Sequence, residues 1–204
     1  EAEAATLPVA GLTALHSIDA ASGLIGRKAL ITGATGGVGM FATQLAIVGG
    51  ATVFAQIRNK KQIPFVESLG PCKPILSTNG EGIENWGPYR LVVDGISGVI
   101  LESGIRSLSP DGICVCYGIT SAPKISVDVR PFMFSGEAKM MGFYLYSQAE
   151  KSPPSEGLSR LLQLVSEQKI TCMIEKEASW DDVGIIAEEL LNRTFNGKAV
   201  LHIE

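Results

Sequence analysis

The sequence predicts a doubly wound α/β fold built on a parallel sheet. Apolar runs of four to seven residues alternate with helical segments, a glycine-rich loop joins the first of these runs to the first long helix, and the crossover that follows spans about thirty residues, as a parallel strand pair requires. Short continuous apolar runs indicate strands covered on both faces, which this class of sheet provides.

Composition narrows the function. The 204 residues are 46% hydrophobic and 19% charged, enough to bury a core, and the net charge of −4 supplies no general attraction to nucleic acid or anionic membrane. The longest basic cluster is Arg58-Asn59-Lys60-Lys61, so small molecules or protein are the expected partners. Residues 29–57 carry no charge and are long enough to cross a bilayer, but Gly33, Gly36, Gly37, Gly39, Gly49 and Gly50 divide them into strand, loop, helix, turn and strand. With no signal-like start, the cytoplasm is the expected location. Cys72, Cys114, Cys116 and Cys172 form no C-x-x-C, read as buried free thiols, and include a pair, Cys114 and Cys116, on one face of a strand.

Taken in order, a helix follows Pro8 with Leu12, Leu15 and Ile18 at helical spacing and ends in DAASG. A strand over Lys28–Thr32, the loop GATGGVG, a helix over Val38–Val48 stopped by Gly49-Gly50 and a strand over Thr52–Ile57 complete the first unit. The pattern repeats: helix Lys61–Leu69, strands Pro74–Leu76 and Arg90–Asp94, helix Val99–Leu108 ended at Ser109-Pro110-Asp111-Gly112, and strands Ile113–Tyr117 and Ala138–Phe143. Lys151–Ser155 reads as a linker before an amphipathic helix over Gly157–Gln168, with Leu158, Leu161, Leu162 and Val165 on its apolar stripe. A strand at Cys172–Glu175, a helix over Asp181–Leu191 capped near Ser179, and a strand at Lys198–Ile203 close the chain; neither strand has a sequential partner.

The glycine loop follows a strand and opens a helix, the context that gives such a motif meaning. In a Rossmann turn, glycines allow the tight turn, the approach of backbone N–H groups to a pyrophosphate and the packing of helix on sheet. Thr35, Gly36, Gly37, Val38 and Gly39 are the candidate pyrophosphate residues, with Ala34 where the first glycine of G-x-G-x-x-G stands. At the end of the next strand, where a carboxylate would bind the ribose 2′-OH of NAD, the chain reads Gln56-Ile57-Arg58-Asn59-Lys60-Lys61. Arg58, aided by Lys60 or Lys61, suits a 2′-phosphate, so the expected cofactor is NADPH.

Thr32–Gly39 also fits the T-G-x-x-x-G-x-G loop and resembles that of short-chain dehydrogenases, which pair a Tyr with a Lys four residues on. Here Tyr89, Tyr117, Tyr144 and Tyr146 are followed at that spacing by Val93, Ser121, Gln148 and Glu150. A broader resemblance covers nearly the whole chain. AATLPVAGLTAL, ALITGATGGVGMFATQLA, LVVDGISG, LSPDGICVCYGITS, MGFYLY and NGKAVLHI occur in the order seen in medium-chain dehydrogenases/reductases of the quinone oxidoreductase type.

That resemblance implies roles. Thr13 matches a threonine near the nicotinamide; Gly36–Gly39 match the pyrophosphate loop; Asp94-Gly95 close a strand at the ligand-binding edge of the sheet. Tyr117, Gly118 and Thr120, with Phe143, Tyr144 and Leu145, match segments lining the nicotinamide half. Ser77 stands where members often carry a tyrosine near the adenosine ribose. The resemblance also implies a barrel-like catalytic domain preceding this chain, making residues 1–171 the dinucleotide-binding domain and 172–204 a tail that returns to the absent domain, less ordered alone. Catalytic residues would lie outside the chain, and neither His16 nor His202 is assigned a proton or metal role. The implied activity is hydride transfer from NADPH to a quinone, enone or similar activated C=C or C=O group; no residue of this chain is assigned to a metal, and a homodimer through the sheet edge is the expected assembly. A zinc alcohol dehydrogenase's cofactor domain and a non-catalytic NADPH-sensing module are the alternatives.

Overall fold

The computed structural model describes residues 1–134 and 136–203. The chain opens with the short helix α1 (Ala2–Ala5), a π-helical turn over Leu7–Gly11 and helix α2 (Leu12–Asp19). Then β1 (Lys28–Ile31), α3 (Gly37–Val48) and β2 (Thr52–Ile57) form the expected strand-loop-helix-strand unit. Next come α4 (Ile63–Ser68), β3 (Cys72–Leu76), β4 (Tyr89–Asp94), α5 (Gly98–Arg106), β5 (Leu108–Cys116), α6 (Val129–Phe134) and β6 (Lys139–Gly142). Helices α7 (Leu145–Lys151) and α8 (Pro154–Ser166) precede the tail, which consists of β7 (Ile174–Ser179), α9 (Val183–Leu191) and β8 (Lys198–His202).

The main sheet is parallel throughout, in the order β3-β2-β1-β4-β5-β6. This is the doubly wound order whose switch point lies between β1 and β4. Alternation along β1 sorts its side chains: Ala29 and Ile31 join a core with Leu12, Leu15, Phe41, Leu45 and Leu161, while Leu30 joins Phe54, Val92, Ile100, Leu101 and Ile105 on the other face. Helix α3 lies in the first layer and α5 in the second, so both faces are covered. Pro74, which cannot donate to a ladder, sits in β3 at one edge.

Several expectations need correction. The tail strands are not left without a sheet, because β7 and β8 pair with each other in parallel. A strand-helix-strand segment of this length satisfies the same crossover requirement as the first unit. Ser109-Pro110-Asp111-Gly112 does not separate helix from strand but lies within β5, whose pairing with β4 shifts register between Tyr89 and Leu91. Asp111 there has φ +58°, so the turn-like composition marks an irregularity in a strand. Helix α8 starts at Pro154, inside the supposed linker, and Leu162 of its apolar stripe is 48% exposed. Helices α6 and α7 were not anticipated.

Candidate cofactor site

The carboxyl ends of β1, β2, β4 and β5 meet in a cavity of about 350 Å³. The glycine loop forms one wall. Gly39 is required by close packing: a Cβ there would lie 2.2 Å from the Gly33 carbonyl oxygen and 2.8 Å from the Ala34 Cα. The start of α3 can therefore approach the end of β1 only without a side chain at this position.

Gln56 braces the turn from below. Its side-chain oxygen accepts from Gly33 N at 2.8 Å, its amide donates to Ser77 O at 2.6 Å, and its main-chain oxygen accepts from Ala34 N at 3.1 Å. Gln56 thus ties both the glycine loop after β1 and the end of β3 to β2. Gln62 adds a second tie: its side-chain amide donates to Thr35 Oγ1 at 2.9 Å and Asn196 Oδ1 at 3.2 Å, and its oxygen accepts from Arg58 N at 3.2 Å.

Asp94 is fully buried beneath this floor. Thr32 Oγ1 donates to one of its oxygens at 2.6 Å and Ser97 N to the other at 2.8 Å. Burial still raises its pKa above the ordinary carboxylate value, against the lowering effect of those hydrogen bonds. Tyr117 leans on Gly95, where a Cβ would lie 2.4 Å from its ring. Burial, with the Asp94 charge nearby, pushes its phenol above the ordinary range.

The far wall comes from the tail. Leu190, Arg193, Phe195 and Gly197 line the same cavity as Arg58, Gln62, Tyr117 and Thr120. Arg58 Nη2 donates to the Arg193 main-chain oxygen at 3.3 Å, Arg193 Nη2 donates to Thr120 O at 3.2 Å, and Gly197 N donates to Thr35 O at 2.8 Å. Burial, then the neighbouring Arg193 charge, lowers the Arg58 pKa. Among the described residues neither guanidinium meets a carboxylate. Two adjacent cations without a counter-charge make a place for an anion.

Of the residues expected from sequence, Thr35, Gly36, Gly37, Val38, Arg58, Gly95, Tyr117 and Thr120 line the cavity. Gly39, Asp94 and Gly118 stand behind it, Gly118 against the Gly95 backbone. Thr13 is buried in α2, Lys61 is exposed beside Asn59, and Phe143, Tyr144 and Leu145 lie off the cavity, with Phe143 stacked on the His16 ring. Gln56, Gln62 and Arg193 were not singled out. Gln56 could have been, as an amide in a strand otherwise apolar; Arg193 gave no local signal. Ser77 Oγ is buried without a partner and borders a second cavity that shares Arg58.

Elsewhere, His202 Nε2 lies 2.7 Å from Glu177 Oε2, and all four cysteines are free, with the Cys114 and Cys116 sulfurs 3.9 Å apart. Among the described residues, no three His, Cys, Asp or Glu side chains converge as a metal-ligand set. No described helix is long and apolar enough to cross a membrane.

Switch-point cavity, glycine loop and helix together define a Rossmann-type dinucleotide-binding fold. A profile of the zinc-binding dehydrogenase family matches residues 37–166, and the chain belongs to that family, as a quinone oxidoreductase-like member of the medium-chain dehydrogenases/reductases. It is 33% identical over 186 residues to a chloroplast envelope quinone oxidoreductase homolog of Arabidopsis thaliana, covering 86% of this chain and 54% of the relative. The quinone oxidoreductase structure from Coxiella burnetii superposes with a TM-score of 0.79 at 27% identity, over 98% of this chain and 60% of that one. A mycobacterial protein solved with NADPH shares the fold, at a TM-score of 0.86 and 19% identity over 98% of this chain and 64% of that one. The chain spans about half the length of the curated relatives it matches.

Proposed function

We propose that this chain is the NADPH-binding part of a reductase that delivers hydride to a quinone, enone or similar activated C=C or C=O group. The observation that carries the reading is the Arg58–Arg193 pair, two guanidinium groups that meet no carboxylate among the described residues, at the end of β2, where NAD specificity would call for an acidic residue. NADPH, when bound, supplies the hydride.

The chain's own residues bind and orient. The loop N–H groups at Thr35–Gly39 face the pyrophosphate, Arg58 and Arg193 hold the 2′-phosphate, and Gly95, Tyr117 and Thr120 shape the floor between β4 and β5. Thr13, Phe143, Tyr144 and Leu145 are assigned to the nicotinamide half, and Lys61 to the outer charge around the 2′-phosphate, on the resemblance alone. The same reading places the protein in the cytoplasm, with residues 172–204 meeting a catalytic domain.

Nicotinamide fluorescence on titration with NADPH and NADH tests the assignment. NADPH is expected to bind at least about tenfold tighter, as a charge-assisted pair warrants, and Arg58→Ala to remove most of that preference. An unchanged ratio in Arg58→Ala would refute the role of Arg58; no binding of either nucleotide at millimolar concentration would refute the cofactor assignment.

A second copy is proposed to join along β6. This strand lies at the sheet edge with Met140 49% exposed, and α6 nearby exposes Met133 at 71% and Phe134 at 83%. Sedimentation is expected to show a dimer that Met140→Glu converts to monomer. A monomeric wild-type protein would remove this proposal without touching the cofactor assignment.

A further inference from the structure

Cys114 and Cys116 stand on one face of β5, two residues apart, with their sulfurs at 3.9 Å and joined by a thiol hydrogen bond. Cys114 is fully buried in the core layer that holds Val92, Ile100 and Ile105, whereas Cys116 is half-buried at the margin of the same layer. The neighbours of Cys116 in the sheet are Asp94 on β4 and Gly142 on β6. Gly142 is exposed, and a Cβ on it would meet no atom within 4 Å. The missing side chain leaves the Cys116 end of the pair open to a small solute, with Cys114 behind it.

The two thiols are unequal. Hydrogen bonding to Cys114 holds the Cys116 thiol below its ordinary value, against burial and the Asp94 charge, while the same bond, with burial, raises Cys114. Thiolate character therefore falls on the more exposed sulfur, the one that a reagent from solvent meets first. Cys72 and Cys172 differ: burial pushes Cys72 up to about 11 and raises Cys172, and Cys72 donates to the Val66 carbonyl at 3.2 Å instead of to a second sulfur. Neither Cys114 nor Cys116 lines the cofactor cavity, so the assigned function does not use them.

We propose that Cys114 and Cys116 form an oxidisable dithiol whose reagent is a hydroperoxide, with Cys116 as the attacking sulfur and Cys114 as the resolving one. The Cys116 sulfur attacks the O–O bond of hydrogen peroxide: an S–O bond forms, the O–O bond breaks, and hydroxide leaves, taking the thiol proton to become water. Cys114 then attacks the sulfenic acid; the S–S bond forms, the S–O bond breaks, and a second water leaves with the Cys114 proton. The two thiols lose two electrons in all, and the peroxide is reduced to two waters. Residues two apart in a strand sit about 6.6 Å apart, near the long end of what a disulfide spans, so closing the ring contracts the end of β5. Tyr117 follows Cys116 and lines the cavity, so the contraction reaches the nucleotide; this consequence rests on the reading of the cavity as a cofactor site.

Peptide mass spectrometry tests the step, because trypsin cleavage after Arg106 and Lys124 places both sulfurs, and no other cysteine, in residues 107–124. After brief exposure of the folded chain to hydrogen peroxide and alkylation with iodoacetamide in denaturant, that peptide is expected to carry no alkyl group and to weigh two hydrogens less than its reduced form. Dithiothreitol is expected to restore both alkylation sites. Cys72 and Cys172 are expected to oxidise at least about tenfold more slowly, as their smaller thiolate fractions warrant. Cys114→Ser is expected to stop at a Cys116 sulfenic acid that dimedone traps, and Cys116→Ser to leave Cys114 alkylatable. A wild-type peptide that keeps both alkylatable thiols under peroxide, or a Cys114 oxidised as fast in Cys116→Ser as in wild type, would overturn the proposal; the first result needs no variant to fold. NADPH is expected to bind the oxidised chain several-fold more weakly than the reduced one, and equal affinities would overturn the coupling to the cavity. A reduced chain that binds neither NADPH nor NADH would overturn the cofactor reading instead, while the peptide mass still decides the dithiol.

Discussion

The six-stranded sheet and the two-stranded tail are both parallel, yet they are held in different ways. In β1, β2 and β4 nearly every side chain is buried, and Ala29, Leu30, Ile31, Leu91, Val92 and Val93 are all fully enclosed. In the tail, β7 is only partly covered and α9 exposes Ile185 at 62% and Leu191 at 81%. What attaches the tail to the larger body is largely polar: Gly197 to Thr35, Asn196 to Gln62, Arg58 to Arg193 and Arg193 to Thr120. Apolar burial builds the platform, and directional contacts align a second unit over the ligand end of it.

The contrast can be broken first at its apolar side. Phe41→Ala, at a fully buried position of α3, is expected to cost about 4 kcal/mol in urea unfolding. Leu191→Ala, on the exposed face of α9, is expected to change stability by less than about 0.5 kcal/mol. Comparable losses in the two variants would mean that the tail shares the main core.

Gly39→Ala comes next. The clash with Gly33 and Ala34 is with backbone, so relief requires the helix to move away from the sheet, at a cost of about 2 kcal/mol. NADPH affinity is expected to fall in the same variant because the loop moves with α3. Retained affinity and stability would show that the loop tolerates a wider approach.

The smallest effect is electrostatic. Asp94 has its pKa raised in the folded state, so over the range upward from the ordinary carboxylate value the folded chain holds more protons than the unfolded one. Its contribution therefore falls as pH rises through that range. Asp94→Asn is expected to flatten this part of the stability profile in urea melts at successive pH values. An unaltered slope would remove Asp94 from the account.

Much of the platform was legible because its signals are local. GATGGVG between an apolar run and a helical segment marks β1, the turn and α3, and Gly49-Gly50 marks where the helix stops. Helices α6 and α7 span only six and seven residues, too short for an apolar period to emerge. The composition of Ser109–Gly112 suggests a break between elements, although β5 accommodates it as an irregularity. Arg58 is readable from its position after β2, whereas Arg193 reaches the cavity through tertiary folding. The β7–β8 pairing leaves a weak signal in the sequence, because β7 reads Ile-Glu-Lys-Glu-Ala-Ser and has little apolar character.

The hydrogen bond from Gly197 to Thr35 joins the first loop of the sheet to a residue near the chain's far end. During synthesis the sheet's first strands and the glycine loop emerge before the tail and can collapse while translation continues. The wall carrying Arg193 and Gly197 emerges after them. A nascent chain would thus hold a formed glycine loop before it held the far wall of the cavity.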